Sequence, residues 1–178
     1  MKLHFIDLNF PAAHYIPGQG GKCEGVHGHN YFIRDLVVNV VSSKLSDEQL
    51  LGRTGMIIDF GLIKDYFKRE WDHKLIVPTN DAQDWAIFLD KIGRRQNLKV
   101  VDLTTAEGMA LDIKRDLINM IHSCVFDRLS NEGVRPSDID VRVDVSLFMP
   151  SDLDKEALNK TFKKCFKWCD KKLDEVLE

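Results

Sequence analysis

The sequence predicts an α+β domain, and three observations carry that prediction. Apolar residues alternate over residues 2–10 and 138–148, the period of strands with one face buried, and β-branched residues concentrate over 31–41. Between them, Ile63, Phe67 and Trp71, and then Ala106 through Val125, repeat at the spacing of amphipathic helices. The 178 residues contain no internal repeat and no low-complexity segment, so one domain spanning 1–178 accounts for them.

Taken in order, Leu3, Phe5, Leu8 and Phe10 mark a first strand. Gly18, Gly20 and Gly21 make a loop that bends freely. Tyr31 to Val41 is rich in β-branched residues and forms a second strand expected to pair with the first. Residues 42–55 are polar and read as a loop or a short helical excursion, and Met56 to Asp59 as extended. The helix through Ile63, Phe67 and Trp71 cannot continue past Lys74 to Pro78, because proline lacks a donor and restricts its predecessor. A short helix is expected over Asp84 to Ile92, then a strand or extended linker over Leu98 to Leu103. Thr104 followed by Glu107 fits a capping box at the start of the best-signalled helix. Gly133 and Pro136 end that segment, and residues 138–148 alternate as a strand. Ser151 opens an expected helical extension over 151–178 whose seven lysines and seven acids mark it as amphipathic rather than a basic arm.

Composition excludes several classes. Hydrophobic residues make up 44% and charged residues 30%, a balance foreign to disordered chains. With 25 Lys+Arg against 28 Asp+Glu the net charge is -3, so a dedicated nucleic-acid binder is not expected. The longest apolar stretch, Leu36 to Val41, is too short to span a bilayer, and His4, Asp7 and Asn9 interrupt any signal core. Four unevenly spaced cysteines do not make a disulfide framework. The expectation is a cytoplasmic protein with no membrane partner.

The residues with chemistry cluster between His14 and His29. On an extended backbone His27 and His29 point to the same side, and a hairpin would bring His14 alongside. Three neutral imidazoles suit zinc and leave a fourth tetrahedral position open. Glu24 is a further possible ligand; alternatively His-Gly-His is a turn and His14 a surface residue. Cys23, four residues before His27, is placed to act as nucleophile or proton carrier beside a dication. It also fits as fourth ligand of a closed site, or as a small buried hydrophobe. Asp72 beside His73 is the arrangement that orients an imidazole for proton transfer, although a histidine also suits a helix carboxyl terminus. Cys124, Cys165 and Cys169 fall on apolar helix faces and are expected in the core.

Together these pieces resemble a family. Phe10-Pro-Ala-Ala-His14, Cys23-x3-His27-Gly-His29-Asn30-Tyr31, Asp59-Phe60, Asp72-His73 and Thr105-Ala106-Glu107 are similar, in order and spacing, to the 6-pyruvoyl-tetrahydropterin synthase family. That family includes the 6-carboxytetrahydropterin synthases of the queuosine (7-deazaguanine) pathway, whose cysteine-to-histidine spacing this chain resembles in particular. The resemblance implies a tunnelling fold: an antiparallel sheet with two helices on one face, associating into a trimer or a pair of trimers. It implies zinc held by His14, His27 and His29, and proton movement by Cys23 with Asp72 and His73. Thr105 and Glu107 would lie near a pterin, Glu107 having the alternative of completing the cap with Thr104. The implied reaction is that of a zinc-dependent lyase converting 7,8-dihydroneopterin triphosphate to 6-carboxy-5,6,7,8-tetrahydropterin. A pyruvoyl-forming synthase, or a zinc or pterin-like binding module without turnover, is the alternative.

Two departures stand out. The family's Val-x-Val-x-Glu-Thr strand, whose Glu grips the pterin, is matched here by residues 141–147, which hold no Glu. Residues 79–97 look inserted between the Asp-His pair and the Thr-Ala-Glu segment. Glu107 and then Asp144 are the expected replacements for the missing carboxylate.

Overall fold

A computed structural model describes residues 1–5 and 8–149, Arg34 by its backbone alone. The extension expected over 151–178, with Cys165 and Cys169, lies outside the described residues. The longest strand, β3 (His27–Ser42), is the spine of a six-stranded sheet among the described residues. Strands β1 (Lys2–Phe5) and β2 (Leu8–His14) pair antiparallel with its two halves along one side. On the other side β6 (Ile139–Phe148) pairs antiparallel with residues 32–42 of β3.

The second strand therefore starts at His27, earlier than the β-branched content alone predicts. β4 (Lys74–Pro78) joins β2 and β5 (Leu98–Val101) joins β4, both in parallel. The sheet is thus mixed, a correction to the antiparallel one that the resemblance implies. For β5 the reason lies in residues 79–97, which form a 3-10 turn, Thr79–Asp81, and a helix, α3 (Ala82–Lys91), between it and β4. A helical crossover returns the chain to the same end of the sheet, which parallel neighbours require.

One face of the sheet carries the core. On it pack α2 (Phe60–Glu70), through Ile63 and Phe67, and α4 (Ala106–Leu129), through Met109, Ile113, Leu117, Ile121 and Val125. The one-turn helix α1 (Asp47–Leu51), held by a capping box between Ser46 and Gln49, adds Leu50. Met56 to Asp59, expected to be extended, is instead the turn into α2, where the Asp59 carboxylate accepts from Gly61 N at 2.8 Å. α3 buries Ala86 and Leu89 outside the main cluster, beside Val77, which alternation turns away from the core-facing Ile76. Cys124, expected in the core, is only half-buried on α4.

Alternation alone would not keep all of β3 on one core. Tyr31 and Ile33 are buried at odd positions, Leu36, Val38 and Val40 at even ones. A β-bulge between Ile33 and Asp35 switches the parity, so both halves of the strand face the same core.

The start of α4 also departs from expectation. Its N-cap is Thr105, whose hydroxyl accepts from Gly108 N at 3.1 Å, and Glu107 lies in the first turn. Thr104 is buried one residue earlier and serves elsewhere, so the Thr104–Glu107 capping box does not form. The chain doubles back tightly here: a Cβ on Gly108 would fall 2.5 Å from the Leu103 carbonyl oxygen and on top of the Leu103 Cβ. Gly108→Ala should therefore cost at least about 2 kcal/mol, read as a lowered midpoint in urea unfolding. An unchanged midpoint would show that this turn yields freely.

Candidate metal centre

The register of β2 on β3 sets Phe10 opposite Tyr31, Ala12 opposite His29 and His14 opposite His27. Paired residues share a face, so the aromatic core runs directly into three imidazoles at the end of the sheet. Phe10 stacks on Tyr31 at 5.3 Å between ring centroids, and Tyr31 meets the His14 and His29 rings edge-on at 5.8 and 5.7 Å. The ligating nitrogens of His14, His27 and His29 all lie within 4.8 Å of one another.

Local hydrogen bonds fix which nitrogen faces inward. The Nδ1 of His14 lies 2.7 Å from the Thr104 carbonyl oxygen, and that of His27 lies 2.8 Å from the Gly25 carbonyl oxygen. A carbonyl only accepts, so each Nδ1 carries the proton and each Nε2 keeps a free lone pair. Both Nε2 atoms are buried and have no partner among the described residues. Burial first, opposed by the Thr104 carbonyl and aided by repulsion from His27 and His29, lowers the His14 pKa from its ordinary 6.5. Burial, then His27, lowers that of His29. His14 and His29 are thereby biased towards neutral imidazole, the form that binds metal. Orphaned, converging nitrogen donors of this kind fit a zinc ion.

Neither Cys23 nor Glu24 brings a ligand atom into the cluster. Cys23 sits half-buried in a 3-10 turn, Lys22–Glu24, whose position is held by Ile16 N donating to the Cys23 carbonyl at 2.7 Å. The Tyr31 hydroxyl is a further buried atom without a partner; burial and then the Cys23 thiol push its pKa up. Sequence reasoning missed Tyr31 as part of this site, although its two-residue spacing from His29 puts it on the same face.

Asp72 and His73 form the turn from α2 into β4, and no hydrogen bond, ion pair or ring contact among the described residues joins them to the three imidazoles. His73 Nδ1 lies 2.9 Å from Asp72 Oδ1, the pairing expected of the two. The His73 ring is largely exposed and lines a shallow concavity shared with Ala13, Gly28, His29, Asn30 and Asn97. Its backbone takes φ +55°, the left-handed region, which costs a non-glycine residue energy. Two bonds hold it there: His73 N donates to the Pro11 carbonyl at 2.8 Å, and Asn97 Nδ2 donates to the His73 carbonyl at 3.0 Å. Behind the turn, Trp71 donates to the Tyr66 hydroxyl at 2.9 Å, and Tyr66 donates to Asp116 at 3.0 Å. Lys99 pairs with Asp116 at 3.3 Å and lies over the Trp71 ring.

Of the two carboxylates expected to replace the missing Glu, Asp144 is exposed and lies 3.8 Å from Lys114. Glu107 is exposed in the first turn of α4, without an ion pair among the described residues. Thr105 is committed to its cap.

The fold and site together define a mixed α/β protein that carries a candidate metal centre of three histidines at one end of its sheet. The family model of 6-pyruvoyl tetrahydropterin synthase matches residues 5–134, and the chain belongs to that family. It is 34% identical over 117 residues to a 6-carboxy-5,6,7,8-tetrahydropterin synthase of Rickettsia bellii, covering 62% of this chain and 75% of that protein. It is 30% identical over 114 residues to the protein of the same name in Rickettsia felis, with the same coverage of 62% and 75%. The solved structure of an uncharacterized protein from Wolinella succinogenes overlaps 84% of this chain and 98% of its own, at a TM-score of 0.45 and 16% identity. No helix among the described residues is long and apolar enough to cross a membrane.

The lowered pKa values of His14 and His29 make a prediction for the metal-free protein. The unfolded chain binds these protons near 6.5, the folded one only at lower pH. Their contribution to stability is therefore complete above about pH 6.5 and is lost as pH falls through the folded values. Urea midpoints of the metal-free protein should be level from about pH 8 to 7 and decline once the pH falls below about 6.5. A midpoint that stays level below that pH would contradict the burial of neutral imidazoles.

Proposed function

We propose that this chain is a zinc-dependent lyase converting 7,8-dihydroneopterin triphosphate to 6-carboxy-5,6,7,8-tetrahydropterin, the reaction its relatives' names point to. The observation that carries the proposal is the cluster of His14, His27 and His29, with two buried Nε2 atoms that lack a partner among the described residues. Zinc held there would act as a Lewis acid towards the side-chain oxygens of the substrate, making a neighbouring carbon-bound proton easier to remove. The protein's own residues do the rest. Cys23, on the glycine-bearing loop beside the cluster, takes and returns the proton. His73, oriented by Asp72, is the second proton carrier, and Glu107 accepts hydrogen bonds from the pyrimidine edge of the pterin. On this reading the protein is cytoplasmic, acts in the queuosine (7-deazaguanine) pathway, and works as a homo-oligomer of three or six chains.

Purified protein incubated with zinc and the triphosphate should release 6-carboxy-5,6,7,8-tetrahydropterin, identified by mass and absorbance. Cys23→Ser should abolish that turnover while keeping about one zinc per chain. An unchanged substrate with the wild-type protein would end the lyase reading, and the 6-pyruvoyl product would reassign it to the other branch of the family.

His73 offers a separate test because its backbone and side chain make opposite demands. Glycine adopts φ +55° without a Cβ penalty. His73→Gly should leave stability within about 1 kcal/mol of wild type and still remove turnover. An active, equally stable variant would take His73 out of the mechanism.

A further inference from the structure

Of the segment 79–97 only Asn97, at the His73 turn, has entered the site as described so far, yet the segment is also tied to the metal ligands through three residues. His14 Nδ1–H donates to the Thr104 carbonyl at 2.7 Å. The Thr104 hydroxyl donates to the Tyr15 carbonyl at 2.5 Å. Tyr15 follows His14 directly, so its side chain projects to the opposite face of the sheet, where α3 lies. There its hydroxyl donates to the Asp81 carboxylate and accepts from Trp85 Nε1 at 2.9 Å, with the two rings 5.9 Å apart. His14, Thr104 and Tyr15 are all buried, at 1%, 3% and 9% exposure, so water does not compete for the His14–Thr104 and Thr104–Tyr15 bonds, while those of Tyr15 to Asp81 and Trp85 are part-buried.

We propose that the 79–97 segment is a positioning device for the metal ligand His14: Asp81 and Trp85 clamp Tyr15, and Tyr15 with Thr104 aims the His14 imidazole. The inference rests on the reading of His14 as a metal ligand. Its physical logic is that of an outer ligand shell. The hydrogen bond on one ring nitrogen fixes the tautomer and the direction of the other, and loss of such a partner typically weakens metal binding about 10- to 100-fold. Here the partner is a backbone carbonyl, which has no side chain of its own to anchor it. Thr104 is anchored by its hydroxyl, and the residue that receives that hydroxyl is anchored from the far face of the sheet. A segment added between β4 and β5 thus reaches the metal ligand without touching the metal, and neither Asp81 nor Trp85 is a catalytic residue.

The test measures zinc affinity by competition with a chelating dye, alongside the absorption spectrum of the Co2+-loaded protein and the unfolding midpoint of the metal-free form. Thr104→Val removes the hydroxyl at constant shape and should weaken zinc binding about tenfold or more and alter the Co2+ spectrum. Thr104→Ser, which keeps the hydroxyl, should restore both. Trp85→Phe and Asp81→Ala lie outside the core cluster and guard against a Thr104 variant that fails to fold. Each should weaken zinc binding at least about threefold, and combined with Thr104→Val their losses should be less than additive, because all act through one chain of contacts. Metal-free midpoints should not track these losses. Wild-type affinity and spectrum in Trp85→Phe and Asp81→Ala would overturn the role of the segment, whatever Thr104→Val does. A wild-type protein that binds no zinc would overturn both this inference and the metal reading beneath it.

Discussion

The pairing of β2 with β3 is the constraint on which the rest of the structure depends. Phe10 opposite Tyr31, Ala12 opposite His29 and His14 opposite His27 form one continuous strip on the core face. Because side chains alternate, a slip of one residue would send both β3 histidines to the other face and leave His14 alone in the core. The register is pinned by apolar burial further along: Phe10 stacks against Tyr31 and Phe67, and the Ile33 bulge lets Leu36, Val38 and Val40 share the same core. The hydrophobic effect therefore places the imidazoles, although it does not act on them directly.

That placement leaves a local cost. A buried polar atom without a partner typically costs about 1 to 3 kcal/mol, and His14 Nε2, His27 Nε2 and the Tyr31 hydroxyl are three such atoms in one corner. Among the described residues one other buried side-chain atom, Arg128 Nε, lacks a partner, so three of the four such atoms converge at this one point, where a ligand would restore local consistency. A metal binding only the folded chain would also stabilise it by mass action. The same corner is held by bonds that spare the inward nitrogens, those from Nδ1 of His14 and His27 to carbonyl oxygens.

The Asp72–His73 turn follows a different logic. Its left-handed residue is maintained by the network behind it, in which Trp71, Tyr66, Asp116 and Lys99 join the end of α2 to β5 and α4. Backbone strain of this kind persists where surrounding structure over-determines it, and such positions concentrate at functional sites. The two halves of the candidate chemistry thus stand on separate supports, the imidazoles on a strand pair and His73 on a helix end.

The sequence by itself determined what depends on neighbours along the chain. Two-residue spacing places His27 and His29 on one side, the helical period marks α2, α3 and α4, and the Asp-His dipeptide puts a carboxylate next to an imidazole along the chain. Tertiary structure decided the rest. The parallel pairing of β4 and β5 depends on where α3 returns the chain. The bulge is legible only once β3 has a partner on either side. Thr104 reads locally as a helix cap, but the close approach of Leu103 to Gly108 moves the cap to Thr105 and frees Thr104 for Tyr15 and His14. Its bonds to His14 and Tyr15 span 90 and 89 residues, and no local periodicity encodes contacts at that separation. Spacing along a strand sets the direction in which a side chain points; which atom it meets there is set by chain packed from elsewhere.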